Sequence, residues 1–256
     1  MESENQDIGH ILSNPARIQH TDTKPTLKLE NTPSFVGYNQ LSVSGLYPFR
    51  EWTFFAGYLY LGNSTLEHTV RDSITNRPIR SGQFAHSYQQ VTMGSVYHIP
   101  KTTLRLSSNV EWDAQSLDGD QVSGIGLGAG LHWGLSAKLW TSLYIHRLIT
   151  PIWTWSSDYT ESLDRRFLIS AGYTETDWQT SVDTDGSLAR IRGEYAIGDY
   201  LSIFGDMVAA DWQSIRRSGL GVSLHLSPLR IHYTHLLFSE TSLNADHDIF
   251  GVSITL

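Results

Sequence analysis

"GLGVSLHLSPLRIHYTHLLF" (Gly219 to Phe238) reads as two strands separated by the short break Ser227-Pro228. Its three histidines pose the first question about function. Before the break, Leu220, Val222, Leu224 and Leu226 alternate with Gly219, Gly221, Ser223 and His225. A period of two puts the first set on one face of a strand and the second on the other. His225 therefore lies opposite the aliphatic row. His232 shares its side across the turn, and His235 has the opposite parity near the far end of the second strand.

The same alternation recurs along the chain. In "GIGLGAGLHW", Ile125, Leu127, Ala129, Leu131 and Trp133 oppose Gly124, Gly126, Gly128, Gly130 and His132. In "LRLSSNVEW", Leu104, Leu106, Val110 and Trp112 oppose Arg105, Ser107, Asn109 and Glu111. "RFLISAGY" sets Phe167, Ile169, Ala171 and Tyr173 against Arg166, Ser170 and Gly172, and "ARIRGEYAI" sets Ile191, Tyr195 and Ile197 against Arg190, Arg192 and Glu194. The pattern predicts about fourteen strands, near 26–35, 39–48, 52–68, 83–99, 102–115, 123–135, 139–149, 164–175, 177–184, 187–197, 200–212, 214–227, 229–238 and 247–256. Most are longer than the roughly five or six residues usual in soluble sheets. They match the roughly 9–11 residues that a tilted strand needs to cross a bilayer.

An even number of long antiparallel strands, apolar outside and polar within, is the pattern of a transmembrane β-barrel. The fold class predicted is therefore all-β: a transmembrane antiparallel barrel over residues 26–256, preceded by an N-terminal segment, 1–25, that enters the lumen as a partial plug or extends beyond the barrel. Polar parity assigns Arg105, Glu111, His132, Arg166, Arg190, Arg192, Glu194, His225 and His232 to the lumen. Trp52, Trp112, Trp133, Trp140, Trp155, Trp178 and Trp212 fall near strand ends and are assigned to interfacial aromatic belts. "SLDGDQ", "DTDG" and "AIGDY" read as tight hairpin turns, whereas 71–82 and 239–248 read as longer polar loops. The inward glycines of "GIGLGAG" leave space for a plug or an inward-folded loop, and no strand–turn–helix context supports a phosphate loop.

Composition narrows the function. A net charge of -8 and the absence of any Lys/Arg run argue against a nucleic-acid partner, and the chain has no cysteine for thiolate chemistry. No apolar run reaches the roughly 18 residues of a membrane helix. The first twenty residues show no basic end followed by an apolar core, so no signal peptide is visible. Outer-membrane lipid is the partner expected of the barrel surface.

The last seventy or so residues resemble the outer-membrane barrels of the PorV/PorQ family, related to the FadL-type transporters. "GLGVSLHLSPLRIHYTHLLF" with "DIFGVSITL" resembles that family's closing strands, with His232 where an acid is usual. "RIRGEYAIGDYLSIFGDM" is similar to its Gly-x-Glu-Tyr hairpin, and "SNPARIQ" (Ser13 to Gln19) to its Asn-Pro-Ala-Gly-Leu segment, with Arg17 in place of glycine. Against the family pattern the chain reads as N-terminally truncated, and it ends in Leu256 instead of an aromatic residue. The resemblance implies a bacterial outer-membrane location. It also implies a surface scaffold that engages secreted proteins or secretion-system subunits, as in type IX secretion. The alternative it leaves open is a FadL-like or porin-like passage for hydrophobic or small solutes.

Enzymatic and metal chemistry rank lower. A surface lipid hydrolase would need His235, Ser239 and Glu240 to assemble, yet residues four apart on a strand stand about 13 Å from each other. His225 and His232 can share a lumen, but structural zinc takes four ligands. No catalytic residue, metal or cofactor is predicted.

Overall fold

A computed structural model describes residues 14–18, 24–33, 39–71, 78–150, 152–155, 160–162, 164–210, 214–238 and 247–255. Sixteen strands are seen among them. The first seven are β1 (Thr26–Pro33), β2 (Asn39–Phe49), β3 (Trp52–Arg71), β4 (Pro78–His98), β5 (Leu104–Leu117), β6 (Asp120–Gly134) and β7 (Leu139–Ile149). A small hairpin follows, β8 (Ile152–Thr154) and β9 (Thr160–Ser162). The chain continues through β10 (Arg166–Thr174), β11 (Trp178–Thr184), β12 (Leu188–Ile197) and β13 (Leu201–Ala210). It finishes with β14 (Ser214–Leu226), β15 (Leu229–Phe238) and β16 (His247–Thr255).

Fourteen strands pair antiparallel with their neighbours in a closed ring, and β1 seals it by pairing with β2 on one side and β16 on the other. The all-β barrel expected from the alternation is thus the fold. Closure leaves the ring no free edge, which satisfies every ladder without a helix or a second sheet. The turns alternate in character around the ring. One end carries connections of a few residues, such as 50–51, 198–200 and 227–228. The other end carries the 72–77, 150–165 and 239–246 connections. Asp118 and Gly119, both at positive φ, close the β5–β6 hairpin at this long-loop end in the conformation a two-residue turn requires.

Polarity is inverted relative to a soluble domain. Leu220, Ile125 and Met93 are 67%, 62% and 59% exposed, while Glu111, Asp113, His132, Glu194 and Ser223 are buried. An apolar coat around a polar interior is what a bilayer selects. At the short-turn end, outward aromatic rings cluster: Trp52 against Tyr97 at 4.7 Å, Trp178 against Tyr173 at 5.0 Å, and exposed Trp133 nearby in the chain's ring of turns. Trp112 also faces outward, from the body of β5.

Two of the aromatic assignments need correction. Trp140 shares parity with Ser142 and Tyr144 and points inward, where it stacks on His132 at 5.3 Å. Proximity to a strand end does not decide which face a side chain takes; parity does. Trp155 belongs to the β8–β9 hairpin instead of a barrel strand, and its indole N–H donates to Glu161 at 3.3 Å. Trp212 lies outside the described residues.

The hairpin was not expected from the sequence, and it folds inward. β8 packs on β6, where inward Val122 and Gly126 are buried while outward Ser123 and Ile125 stay exposed. Strands β3 and β4 run farther than expected. Beyond Gly62 and His86 they pair only with each other, as a ribbon rising past both neighbouring strands at the long-loop end.

Candidate functional site in the lumen

The interior is built from alternate residues of every barrel strand, and its first feature is a piece of the chain itself. Asn14–Ile18, with one 3₁₀ turn at Pro15–Arg17, is enclosed by the wall near the short-turn end. The Asn14 amide donates to Ser142 Oγ at 3.2 Å and to Ser170 Oγ at 3.1 Å, joining β7 and β10. Arg17 reaches both oxygens of Asp183 at 3.0 and 3.2 Å and lies over the Trp140 ring at 4.6 Å. Arg105 donates to the Ile18 carbonyl at 3.2 Å. Ile18 completes an apolar cluster with Leu46, Phe55 and Val96. Glycine makes this insertion possible at one point: a Cβ on Gly130 would collide with Ala16 and with Tyr144.

Above this segment, a polar network crosses β4, β5 and β7. The Tyr144 hydroxyl sits between Asn109 Oδ1 at 2.6 Å and Glu111 Oε1 at 3.0 Å, and Asn109 also donates to Glu111 at 2.8 Å. Tyr88 donates to Asp113 Oδ1 at 2.5 Å. His146 Nδ1 lies 3.3 Å from Glu111, and Arg147 lies 3.5 Å from Asp113. His146 and Arg147 are consecutive, so strict alternation would turn one of them outward. An irregularity in the β6–β7 ladder between Leu127 and Ala129, with Arg147 at φ 55°, lets both reach the lumen.

Across the barrel a second network surrounds Glu194. One oxygen accepts from Ser202 at 2.8 Å and Arg230 at 3.0 Å, and the other from Gln179 at 3.1 Å. His225 Nε2 is 3.4 Å from the Ser202 hydroxyl. Arg190 pairs with Asp206 at 3.2 Å, and Arg192 lies over Phe204 at 5.3 Å. A third group joins β1 to β15: Lys28 meets Glu30 at 2.7 Å, and His232 Nε2 stands 3.3 Å from the same carboxylate.

The nine residues assigned to the lumen from parity are therefore placed as follows. Arg105 holds the inserted segment, and His132 stacks beneath Trp140. Glu111 belongs to the β5 network, Arg190, Arg192, Glu194 and His225 to the second, and His232 to the third. Arg166 shares their parity but is exposed at the long-loop end of β10. Asp113, expected inward by its parity with Glu111, joins them; so do Tyr144, Arg147 and Arg230, which were not singled out from sequence, although Arg230 carries the same parity signal. His235 faces outward and pairs with Asp248 at 3.0 Å, with the Tyr233 hydroxyl on the same carboxylate at 2.7 Å. Ser239 and Glu240 lie outside the described residues. No group of three or more His, Asp or Glu side chains with metal-binding geometry occurs among the described residues.

Comparison with known proteins gives a fold-level answer. No protein-family model matches the chain, and no curated protein matches it in sequence. Among solved structures, the Pseudomonas putida toluene transporter TodX superposes with a TM-score of 0.66 at 11% identity, covering 96% of this chain and 92% of TodX. A Pseudomonas aeruginosa FadL homologue superposes with a TM-score of 0.61 at 8% identity, covering 97% of this chain and 94% of that one. The closed fourteen-strand barrel fold is therefore shared with these two proteins. These superpositions do not carry the narrower PorV/PorQ resemblance.

Proposed function

We propose that the protein is an outer-membrane channel that passes a small hydrophobic solute through a barrel restricted by its own N-terminal segment. The observation that carries this reading is the pairing of a complete FadL-type barrel with a chain segment tied inside it. The barrel superposes along almost its whole length on a protein described as a toluene transporter and on a FadL homologue. Asn14–Ile18 crosses the lumen on a short set of side-chain contacts, with apolar Ile18, Leu46, Phe55 and Val96 beside it. The segment is joined to the wall by non-covalent contacts, hydrogen bonds, an ion pair and the packing of Ile18 among them, and contacts of this kind can break and re-form as a restriction opens. Asn14–Ile18 acts as the plug, and the charged and aromatic side chains around Trp140 act as its seat.

This reading places the alternative expectation, a FadL-like passage, ahead of the secretion scaffold. A scaffold role calls for a surface that holds partner proteins, and nothing among the described residues favours one. The neighbours in structure are described as transporters or channels, in keeping with a protein that is not an enzyme.

The test is uptake. Proteoliposomes or cells containing the barrel should take up a monoaromatic hydrocarbon such as toluene faster than barrel-free controls. Equal uptake with and without the barrel refutes the reading. Arg17→Ala removes the ion pair to Asp183 and the contact over Trp140, so single-channel recordings in planar bilayers should show at least twofold longer open time. Unchanged gating would mean that the segment is a fixed part of the wall.

A further inference from the structure

Arg190 pairs with the farther of its two neighbouring carboxylates. In the β11–β12 ladder Asp183 stands directly across from it, on the lumen face that also joins Gln179 to Glu194. In the β12–β13 ladder Val208 stands across from Arg190, and Asp206 lies two residues along, in the diagonal position. Facing positions are about 5 Å apart at Cβ and diagonal ones about 7–8 Å. The guanidinium nevertheless meets Asp206 Oδ2, from Nε and from Nη2 at 3.2 Å each. The nearer carboxylate is already taken. Arg17 of the inserted segment contacts both Asp183 oxygens, at 3.0 and 3.2 Å.

The wall balances its charge without the segment. Arg190, Arg192 and Arg230 accompany Asp183, Asp206 and Glu194 along β11, β12, β13 and β15, and Arg192 stands directly across from Asp206. Arg17 adds a fourth cation to these three carboxylates. If Arg17 withdrew and nothing replaced it, Asp183, only 15% exposed, would be stranded without a cation, a costly state for a mostly buried carboxylate. Arg190 has the freedom to prevent this. Its side chain is 41% exposed, against 11% for Arg17.

We infer that Arg190 is the exchange partner of Asp183: it moves from Asp206 onto Asp183 when Arg17 withdraws, and Arg192 holds Asp206. The inference rests on the reading of Asn14–Ile18 as a restriction that opens, and it assigns how the opening is compensated. The ion pairs of the wall pass from a diagonal arrangement to a directly facing one, and Asp183 is never left bare. Arg190 is thus a positioning residue for the released state, with no contact to solute required.

The experiment reads the position of the segment instead of transport. The chain has no cysteine, so Ile18→Cys gives a single thiol at a position that is 5% exposed, and its rate of labelling by a maleimide reports release of the segment. The full chain is used in a nonionic detergent, with heat-modifiable migration identifying folded variants. In that background Arg190→Gln should slow labelling by about fivefold, the value of one partly screened ion pair lost from the released state. Arg190→Lys, which keeps the cation, should label within about twofold of the parent. Arg17→Ala should speed labelling, and adding Arg190→Gln to it should change the rate by less than about twofold, because Asp183 then lacks Arg17 in both states. Arg190→Met serves in place of Arg190→Gln if the latter does not fold. The inference is overturned if the parent thiol never labels, if loss of the Arg190 charge leaves the rate unchanged or raises it, or if it slows labelling equally with and without Arg17. Toluene uptake is scored separately: its absence beside the expected labelling pattern refutes the channel and leaves the exchange standing.

Discussion

Two buried carboxylate networks face each other across this lumen, and they are finished to different degrees. Glu194 accepts bonds on both oxygens, from Ser202, Arg230 and Gln179, so its bonding capacity is used within the wall. Glu111 and Asp113 are at least as deeply buried, yet each keeps one oxygen without a hydrogen bond among the described residues. The first network ties β11, β12, β13 and β15 together. The second ties β4, β5 and β7, with Asp113 Oδ2 facing Arg147 at 3.5 Å and Glu111 Oε2 left without a hydrogen bond among the described residues. Burial alone does not distinguish them; the count of satisfied atoms does.

The difference can be broken by substitution, starting with the largest effect. Glu194→Ala removes three hydrogen bonds and leaves Arg230 inside the barrel without its carboxylate. It should cost about 3 kcal/mol, with the figure held down because Arg230 is partly exposed. Urea unfolding followed by heat-modifiable migration measures it, and a loss near zero would show that the lumen around Glu194 is hydrated enough to replace the wall.

Gly128→Ala acts on the second network. A Cβ there would overlap the Tyr144 hydroxyl and Asn109 Oδ1, atoms of the two side chains that hold Glu111. The expected cost is about 2 kcal/mol in the same assay, as for overpacking in a fixed interior. Glu111→Gln should be much milder, within about 1 kcal/mol of the parent, because the amide oxygen still accepts from Asn109 and Tyr144. A cost as large as that of Glu194→Ala would place Glu111 among the structural ties and erase the contrast. Gly193→Ala closes the series: nothing lies within 4 Å of its added methyl on the outward face, so the midpoint should move by less than about 0.5 kcal/mol.

How much of this was legible in the sequence differs by element. The β12 run "ARIRGEYAI" placed Arg190, Arg192 and Glu194 on one face because alternation is the geometry of a strand, and those side chains reach Asp206, Phe204 and Arg230 from that face. The β7 run "LWTSLYIHRLI" shows where the same reading stops. Trp140 was assigned by its distance from a strand end and turned out to face inward, a result its parity with Ser142 and Tyr144 already contained. His146 and Arg147 could not both be read as inward, because a ladder irregularity leaves no composition signal in a single strand. The partners of Arg17 were equally hidden: Asp183 lies 166 positions away in the chain.

The sequence by itself determined the class of fold, the approximate limits of the barrel strands, and the side of each regular strand on which a residue falls. Those are consequences of a two-residue period and turn chemistry, both local properties of the backbone. Only the tertiary structure decided which strands close the ring, that residues 14–18 lie inside it, that β8 folds against β6, and which buried carboxylates are left with open oxygens. Each of these depends on contacts between distant parts of the chain, and the period of a strand carries no record of its partner across the lumen.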